Sequence, residues 1–306
     1  IIAIVAINAG LLELVKASIT GAILGNILLI FGLSIMTSGF KFKEQFFNKE
    51  NVGMQASMLF LAVIGLTIPT ILAVTVLEPI NNTNQMKIQF LSDALAFLLL
   101  SVYIASIVFT FFTHKHLFIF KPREDELVIN GERNGNKRDE KEQSSSQHPE
   151  IMTQWSKKRS FLLLGLSMAG VIVISEILVG SIEVVTAEFG FGELFVGAII
   201  IGIVGNAAEH SSAILLARKG KMDLSIGIAA GSGTQIALFV VPILVIAGVL
   251  LNRPFNLVFT VFEVASVLLA AIILNLIAHD GKSNWFEGVM LTAVYVIIAI
   301  GFFFIP

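Results

Sequence analysis

The sequence contains no cysteine and few charged residues. Without cysteine the chain can form no disulfide, no thiolate metal site and no thiol redox centre. Charged residues make up only 14% of the chain, whereas a typical soluble domain carries about 25%. The formal net charge is −2, so the overall charge does not indicate a nucleic-acid partner. These shortages leave a chain dominated by apolar side chains.

The apolar residues, 56% of the chain, are grouped in blocks long enough to cross a bilayer as helices. The blocks are too long and too continuous to be strands of a membrane β-barrel. We therefore predict an all-α polytopic membrane protein whose helices contact the lipid bilayer. The predicted spans are 1–9, 12–37, 53–77, 88–112, 160–181, 193–217, 223–250, 255–278 and 285–306.

A long polar segment divides the chain. Within residues 113–159, the stretch 121–157 carries too few apolar side chains to fold by itself. We therefore predict that 113–159 is a polar linker between an N-terminal membrane half, 1–112, and a C-terminal half, 160–306. The loops on the linker's side of the membrane hold most of the lysines and arginines, and the positive-inside rule places that side in the cytoplasm. These loops are 38–52, 113–159, 218–222 and 279–284.

The chain starts at Ile1 within apolar sequence and shows no signal peptide. We expect that residues of the natural protein precede Ile1. The absence of cysteine and of a targeting segment favours a bacterial plasma membrane, with a vacuolar or other organelle membrane as the alternative. A homo-oligomer is compatible with the sequence.

Glu209 is the most informative single residue. It belongs to the stretch Gly-Asn-Ala-Ala-Glu-His at 205–210 and lies midway along a predicted span. A charged side chain at that depth costs roughly 2.5–3.5 kcal/mol on insertion scales, and chains keep one where it binds an ion or lines a path. We therefore predict that Glu209 binds an ion, although a hydrogen bond to a neighbouring helix is the alternative.

A second polar stretch, Gly-Ser-Gly-Thr-Gln at 231–235, is followed by Pro242 and suits a bent helix. With Glu209 it offers carboxylate, amide, hydroxyl and carbonyl oxygens, of which a hard cation such as Ca²⁺ takes about six to eight. A buried carboxylate also binds protons, so the same site can hold either Ca²⁺ or protons. The predicted ion-binding or proton-coupling residues are Glu209, Gln235, Asn26, Asn206, Gly205, Ser212, Ser232 and Ser18.

Three further polar residues inside predicted spans are candidates for gating or a proton path: His210, Glu176 and Glu263. A lone membrane histidine also serves as a hydrogen bond between helices, and the two glutamates are equally compatible with packing roles. The serines named above are open to a structural explanation too, because a serine hydroxyl often bonds to its own helix.

An internal repeat links the two halves. Residues 3–31 align with residues 213–241, and under the loop assignment the two segments cross the membrane in opposite directions. Such inverted repeats are common in secondary transporters. The unusual residues that coincide are Gly10 with Gly220, Glu13 with Asp223, Gly21 with Gly231 and, after a one-residue slip, Asn26 with Gln235.

The motifs resemble a known family. GNAAEH at 205–210 followed by KMDLSIGIAAGSGTQIALFVVPILVI at 221–246 resembles the second α-repeat, 199–246 here, of calcium/proton exchangers, the cation/proton branch of the calcium/cation antiporter superfamily. ELVKASITGAILGNILLIFGLS at 13–34 resembles the latter part of their first α-repeat. SEILVGSIE and DGKSNWFEGVMLTAVY are also similar, so the resemblance covers nearly the whole chain outside the linker.

This resemblance implies two inverted five-helix repeats plus one N-terminal helix. It also implies a secondary active Ca²⁺/H⁺ antiporter, not an enzyme, that exports Ca²⁺ from the cytoplasm by alternating access. Ca²⁺ is then the substrate, H⁺ the counter-ion, and no organic cofactor is expected. The family's first motif supplies a partner carboxylate for Glu209 and falls before the position of Ile1, so we expect that partner to be missing from this chain.

Three alternatives remain at this point. A Na⁺/Ca²⁺ exchanger of the same superfamily is the nearest, although GNAAEH and GSGTQ favour the proton branch. The inverted repeat argues against a cation channel. An intramembrane hydrolase would need Ser211 or Ser212 to act with His210, but residues one or two apart on a helix do not face each other.

Overall fold

The computed structural model describes residues 1–76, 82–114 and 157–305. Most of the predicted linker, 113–159, and the last residue of the predicted span 285–306 therefore lie outside the described residues. The helices are α1 (Ile2–Ala9), α2 (Leu12–Gly39), α3 (Lys49–Thr75), α4 (Asn82–Val108, continued by Phe109–Thr113), α5 (Lys157–Phe189), α6 (Glu193–Val204), α7 (Ala207–Arg218), α8 (Met222–Leu250), α9 (Val261–Asp280) and α10 (Trp285–Phe303). The strands are β1 (Gln45–Phe46) and β2 (Lys282–Ser283).

The long helices confirm a polytopic membrane protein. Within the described residues, 7 helices are long and apolar enough to cross a bilayer, or up to 8 when the bent pair α6 and α7 counts as one span. Many large apolar side chains on α4 and α5 are exposed, as expected of surfaces that face lipid. The division into two membrane halves stays a prediction.

The start of α9 corrects one predicted boundary. The span 255–278 was expected to begin directly after Pro254, but the chain remains non-helical as far as Thr260. This loop finds its hydrogen bonds outside helical geometry; for example, the Phe259 N–H donates to the Thr70 hydroxyl at 3.1 Å. The Thr260 side chain then caps the first turn of α9, because a threonine oxygen satisfies an N–H that has no partner within the helix.

Other boundaries also differ from the predicted ones. Helix α4 begins at Asn82 rather than 88. Helix α5 extends to Phe189, beyond the expected end at 181, because no glycine or proline interrupts residues 182–189 and the left-handed Gly190 (φ 67°) ends the helix. Helix α3 begins at Lys49 rather than 53. The Asn48 side chain accepts the N–H groups of its first turn.

The predicted single span 193–217 is broken. Helices α6 and α7 meet at an angle of 54° across Gly205 and Asn206. The Asn206 N–H reaches back only to the Ile203 carbonyl, at 3.3 Å, so the regular helical pattern stops there. The break gives α7 its own N-terminus in mid-span, where partial positive charge from its free N–H groups accumulates.

Four of the described helices contain π-helical turns, which often mark functional sites. One ends α4 at Phe109–Thr113, and the other three lie inside spans. One of these covers Gly25–Ile30 in α2, one Val196–Ile201 in α6 and one Ile236–Val240 in α8. Asn26 lies in the turn of α2, and Gln235 directly precedes the turn of α8. The turns in α2 and α8 therefore occupy positions that the predicted internal repeat aligns with each other.

Close backbone contact holds α2 against α6. A Cβ on Gly21 would collide with the backbone of Ala198, and one on Gly202 would meet the backbone of Gly21. Only glycine permits this approach, which keeps α2 and its π-helical turn fixed beside the break. The surrounding side chains, such as Ile23 and Leu24, are fully buried.

On the predicted cytoplasmic side, β1 and β2 form an antiparallel pair with Gln45 opposite Ser283. The Phe47 N–H extends this pairing by donating to the Gly281 carbonyl at 3.1 Å. The loop before α3 is thereby joined to the loop between α9 and α10.

Candidate functional site

Glu209 lies in the first turn of α7, directly after the break between α6 and α7. Its carboxylate accepts a hydrogen bond of 2.5 Å from the Ser232 hydroxyl of α8. The same hydroxyl accepts a bond of 3.3 Å from the Asn26 amide of α2. Three separate helices thus meet at one hydrogen-bonded chain, and its terminal group is the carboxylate that the sequence singled out.

A cavity of about 600 Å³ adjoins this chain. Its walls come from α3, α4, α7 and α8, and Met54 and Phe111 belong to the ends of α3 and α4 that the charge distribution assigns to the cytoplasm. The cavity therefore extends from the central carboxylate toward the predicted cytoplasmic face. The sequence-predicted residues that line it are Glu209, Ser212, Ser232 and Gln235.

The cavity walls provide the oxygen atoms that a hard cation requires. Glu209 supplies a carboxylate, Gln235 an amide, and Ser232 a hydroxyl. The Ser212 hydroxyl donates a hydrogen bond to the Ala208 carbonyl of the same helix at 2.9 Å. The lone pairs of the Ser212 oxygen stay available to a cation. The described residues contain no cluster of three or more histidine, cysteine, aspartate or glutamate side chains, so Glu209 provides the ionic charge here alone.

Sequence reasoning missed Gln55. This residue of α3 lines the cavity opposite α8. Its carbonyl accepts a bond of 3.3 Å from the Thr234 hydroxyl, and its Nε2 lies 3.9 Å from the position that a Cβ on Gly231 would occupy. The available signal was a polar amide within the predicted span 53–77.

His210 is buried behind the cavity, with 6% of its surface exposed. Its Cε1 lies 3.8 Å from the position that a Cβ on Gly25 would occupy, so the ring faces the π-helical turn of α2. The Nε2 of His210 and the Oδ1 of Asn26 are both buried without a hydrogen-bond partner among the described residues. Leaving such an atom unpaired costs about 1–3 kcal/mol, which makes both atoms candidates to contact a proton, water or an ion.

Gly205 and Asn206 form the break itself and do not line the cavity. The Asn206 amide donates to the Gly202 carbonyl at 2.9 Å and so bridges the interrupted turn. These two residues set where α7 begins and therefore place Glu209 in its first turn.

Ser18, Glu176 and Glu263 lie away from the cavity. Ser18 donates to the Val15 carbonyl of its own helix at 2.8 Å and precedes Asn26 by about 12 Å along the axis of α2, at about 1.5 Å per residue. Glu176 is exposed on α5. Glu263 is fully buried in the first turn of α9.

The chain matches the family model described as "Sodium/calcium exchanger protein" over residues 159–304. It is 40% identical to the Ca²⁺/H⁺ antiporter of Synechocystis sp. over 310 residues, which cover 100% of this chain and 79% of that protein. It is 32% identical to the vacuolar calcium ion transporter of Schizosaccharomyces pombe, covering 100% of this chain and 68% of that protein.

The solved structure of the selenium-substituted Ca²⁺/H⁺ antiporter YfkE shares the fold. The TM-score is 0.75 at 35% sequence identity, with coverage of 99% of this chain and 78% of that chain. The likeness therefore includes the described helices of both predicted membrane halves.

Proposed function

Because this chain belongs to the Ca²⁺/H⁺ antiporter family, we propose that it exports Ca²⁺ from the cytoplasm in exchange for protons. It acts as a secondary transporter and not as an enzyme. The observation that carries this proposal is the bonded chain of Asn26, Ser232 and Glu209 at the inner end of a cavity that extends toward the cytoplasmic face. The higher identity to the bacterial relative than to the vacuolar one supports a bacterial plasma membrane.

Ca²⁺ binds at Glu209 in this proposal. Carboxylate and neutral oxygens are the ligands that Ca²⁺ prefers, and Ser232 and Gln235 present such oxygens on the adjacent helix. In this structure the Ser232 hydroxyl donates a hydrogen bond to Glu209. When Ca²⁺ arrives, that hydroxyl rotates and offers a lone pair instead, so the same side chain serves the empty and the loaded site.

Competition for one carboxylate couples the two ions. Glu209 can hold Ca²⁺ only when it is ionised, and a proton on the carboxyl removes the charge that attracts the cation. Protons arriving from the opposite side therefore displace Ca²⁺, and Ca²⁺ arriving from the cytoplasm displaces protons. The His210 Nε2 and the Asn26 Oδ1, which have no hydrogen-bond partner among the described residues, are available as partners when the site holds protons.

Alternating access requires that only one side be open at a time. The cavity reaches Glu209 from the cytoplasmic side, whereas the tight contact between Gly21 and Ala198 closes α2 against α6 on the other side of the site. We propose that the break at 205–206 and the π-helical turns absorb the bending when this arrangement reverses. Irregular turns need less rearrangement than a regular helix because their hydrogen-bond pattern is already interrupted.

The first experiment measures ⁴⁵Ca²⁺ uptake into inside-out vesicles that contain the full-length protein. An acid-inside gradient is imposed with and without a protonophore. We expect gradient-dependent uptake in the wild type and its loss in Glu209→Gln, because the amide keeps the shape but not the charge. Glu188→Gln, an exposed acid at the outer end of α5, is the matched control and keeps full activity.

A sodium gradient forms the second arm of this experiment. Uptake that follows sodium and ignores the pH gradient would reassign the chain to Na⁺/Ca²⁺ exchange. Uptake that ignores both gradients and does not saturate would instead indicate a channel.

A further inference from the structure

A second cavity, of about 810 Å³, lies at the opposite face of the molecule. It is formed by the start of α2, the end of α3, the start of α4 and the loop before α9, all assigned to the extracytoplasmic side by the distribution of lysine and arginine. Its polar lining residues include Glu13, Lys16, Asn256 and Thr260. We refer to it as the outer cavity.

An ordered pair of charges lines the outer cavity. The Lys16 ammonium bonds to the Glu13 carboxylate at 2.9 Å, and the side chain of Glu13 is 59% exposed whereas that of Lys16 is only 6% exposed. The pair therefore runs from the solvent inward. A lysine so deeply buried in a membrane protein generally marks a path or a binding site.

A third ionisable group, Glu263, lies close to this pair and has an exposure of 0%. Its carboxylate accepts bonds from the Thr260 N–H at 2.8 Å, the Thr260 hydroxyl at 2.8 Å and the Thr20 hydroxyl of α2 at 3.3 Å. Lys16 and Glu13 are within electrostatic range. Thr260 belongs both to the cavity wall and to the shell of Glu263, so it separates the carboxylate from the cavity by one side chain.

No other ionisable group faces Glu263 from the described helices. Helix α3, which packs most extensively against α9, presents Thr70 and Ala73 at this level. The charged residues of α3, Lys49 and Glu50, lie at its cytoplasmic end. The charged groups that act on Glu263 from the described helices are therefore Lys16 and Glu13, in addition to its burial and its hydrogen bonds to Thr260.

Helix capping alone does not explain a buried carboxylate. Glu263 and Thr260 form a capping box, but glutamine fills the same position in such boxes. The bond from Thr20 comes from another helix and adds nothing to the cap. A neutral amide would cap α9 without bringing a charge into the protein interior.

Thr20 also connects Glu263 with the central site. It stands on α2 six residues before Asn26, which is about 9 Å along the axis at about 1.5 Å per residue. Between them lie the buried residues Ile23 and Leu24, so the route is closed in this conformation. A shift of α2 in the outward-open state would shorten or hydrate this gap.

We propose that Glu263 is the outer proton acceptor of the exchanger. A proton from water in the outer cavity binds the Glu263 carboxylate. In the outward-open state it leaves for the Glu209 carboxylate, directly or through water, and Glu263 returns to its ionised form. This proposal rests on the proposed exchange function and adds a separate entry site for the counter-ion.

The test uses full-length protein in inside-out vesicles, whose lumen corresponds to the extracytoplasmic side. Glu263→Gln keeps the capping box and removes the titrating group. We expect the rate of proton-driven ⁴⁵Ca²⁺ uptake to fall roughly tenfold or more and to lose its dependence on luminal pH, since a positioned acid or base typically speeds proton transfer about 10²-fold or more. Ca²⁺/Ca²⁺ exchange at equal pH needs no proton and stays at the wild-type rate.

The second measurement separates this proposal from the proposed function. Glu209→Gln is expected to lose both proton-driven uptake and Ca²⁺/Ca²⁺ exchange, whereas Glu263→Gln loses only the former. Thr20→Val, which removes the hydroxyl bond without changing the shape of the side chain, should show a weaker form of the Glu263→Gln defect.

The matched control is Glu287→Gln. This glutamate bonds to the capping residue Asn284 at 2.8 Å in the first turn of α10, at the cytoplasmic end, and its variant should keep the wild-type response to luminal pH. Wild-type luminal pH dependence in Glu263→Gln would overturn the proposal. Loss of Ca²⁺/Ca²⁺ exchange in a folded Glu263→Gln protein would also overturn it, because Glu263 would then serve the Ca²⁺ path itself.

Discussion

Asn26 and Glu209 are joined through a single hydroxyl. The Asn26 amide donates to the Ser232 Oγ at 3.3 Å, and that Oγ donates to the Glu209 carboxylate at 2.5 Å. The two residues stand on α2 and α7, in opposite predicted membrane halves, and Ser232 is supplied by α8. Any change at the carboxylate, whether a proton or a cation, therefore alters the contact between the halves.

Ser232→Ala should weaken Ca²⁺ binding. The substitution removes the hydroxyl that bonds to Glu209, and with it one oxygen ligand for the cation. A hydrogen bond to a charged group contributes about 1.5–3 kcal/mol, which corresponds to roughly a tenfold or greater rise in the Ca²⁺ concentration for half-maximal uptake. Uptake at graded Ca²⁺ concentrations measures this.

Ser225→Ala is the control for that prediction. Ser225 is a buried serine nearer the start of α8, and its hydroxyl has no hydrogen-bond partner among the described residues. Its removal should leave the Ca²⁺ dependence unchanged. Equal behaviour of the two alanine variants would show that Ser232 takes no part in the site.

Gln55→Leu should impair Ca²⁺ entry without uncoupling the exchanger. The change keeps the volume of the side chain but removes an amide from the cavity wall. The loss of one neutral polar contact, about 0.5–1.5 kcal/mol, predicts a rise of about two- to tenfold in half-saturating Ca²⁺, while the pH gradient still drives uptake. In the control Ser57→Ala, an exposed hydroxyl that bonds to its own helix is removed, and the wild-type value is expected. An unchanged value in Gln55→Leu would contradict the assigned role.

Gly21→Ala should destabilise the protein. The added methyl group would collide with the backbone of Ala198, and overpacking of this kind costs about 1–3 kcal/mol. We expect a lower midpoint of thermal unfolding in detergent and reduced exchange. Gly170→Ala on α5, where an added Cβ meets nothing within 4 Å, should unfold at the wild-type temperature or above it. A Gly21→Ala protein as stable as the wild type would refute the close packing of α2 against α6.

The sequence located the central residues because their chemistry is conspicuous in an apolar segment. Glu209, Ser232, Gln235 and Asn26 are polar residues within predicted spans, and the cost of placing them inside the bilayer indicates their importance without any knowledge of contacts. The carboxylate was expected to be buried, but Glu209 and Gln235 are exposed where they line the cavity. The structure places the first three at one cavity and bonds the fourth to it. Their roles in ion binding stay predictions.

Other features had no comparable signal. A π-helical turn such as Gly25–Ile30 changes the hydrogen-bond pattern but not the apolar composition from which a span is predicted. Ser18 was predicted with Ser232 as an ion-binding residue, but its position along α2 keeps it away from the cavity. Gln55 lines the cavity only because α3 packs against α8. Such packing cannot be predicted from a single sequence.

The pairing of β1 with β2 limits how the molecule can move. Gln45 lies opposite Ser283, and these strands lead into α3 and α10 from different predicted halves. While the pairing is intact, the distance between the cytoplasmic ends of these two helices stays fixed. A change in the width of the cytoplasmic opening would then come from cavity-lining helices outside this pairing, such as α4.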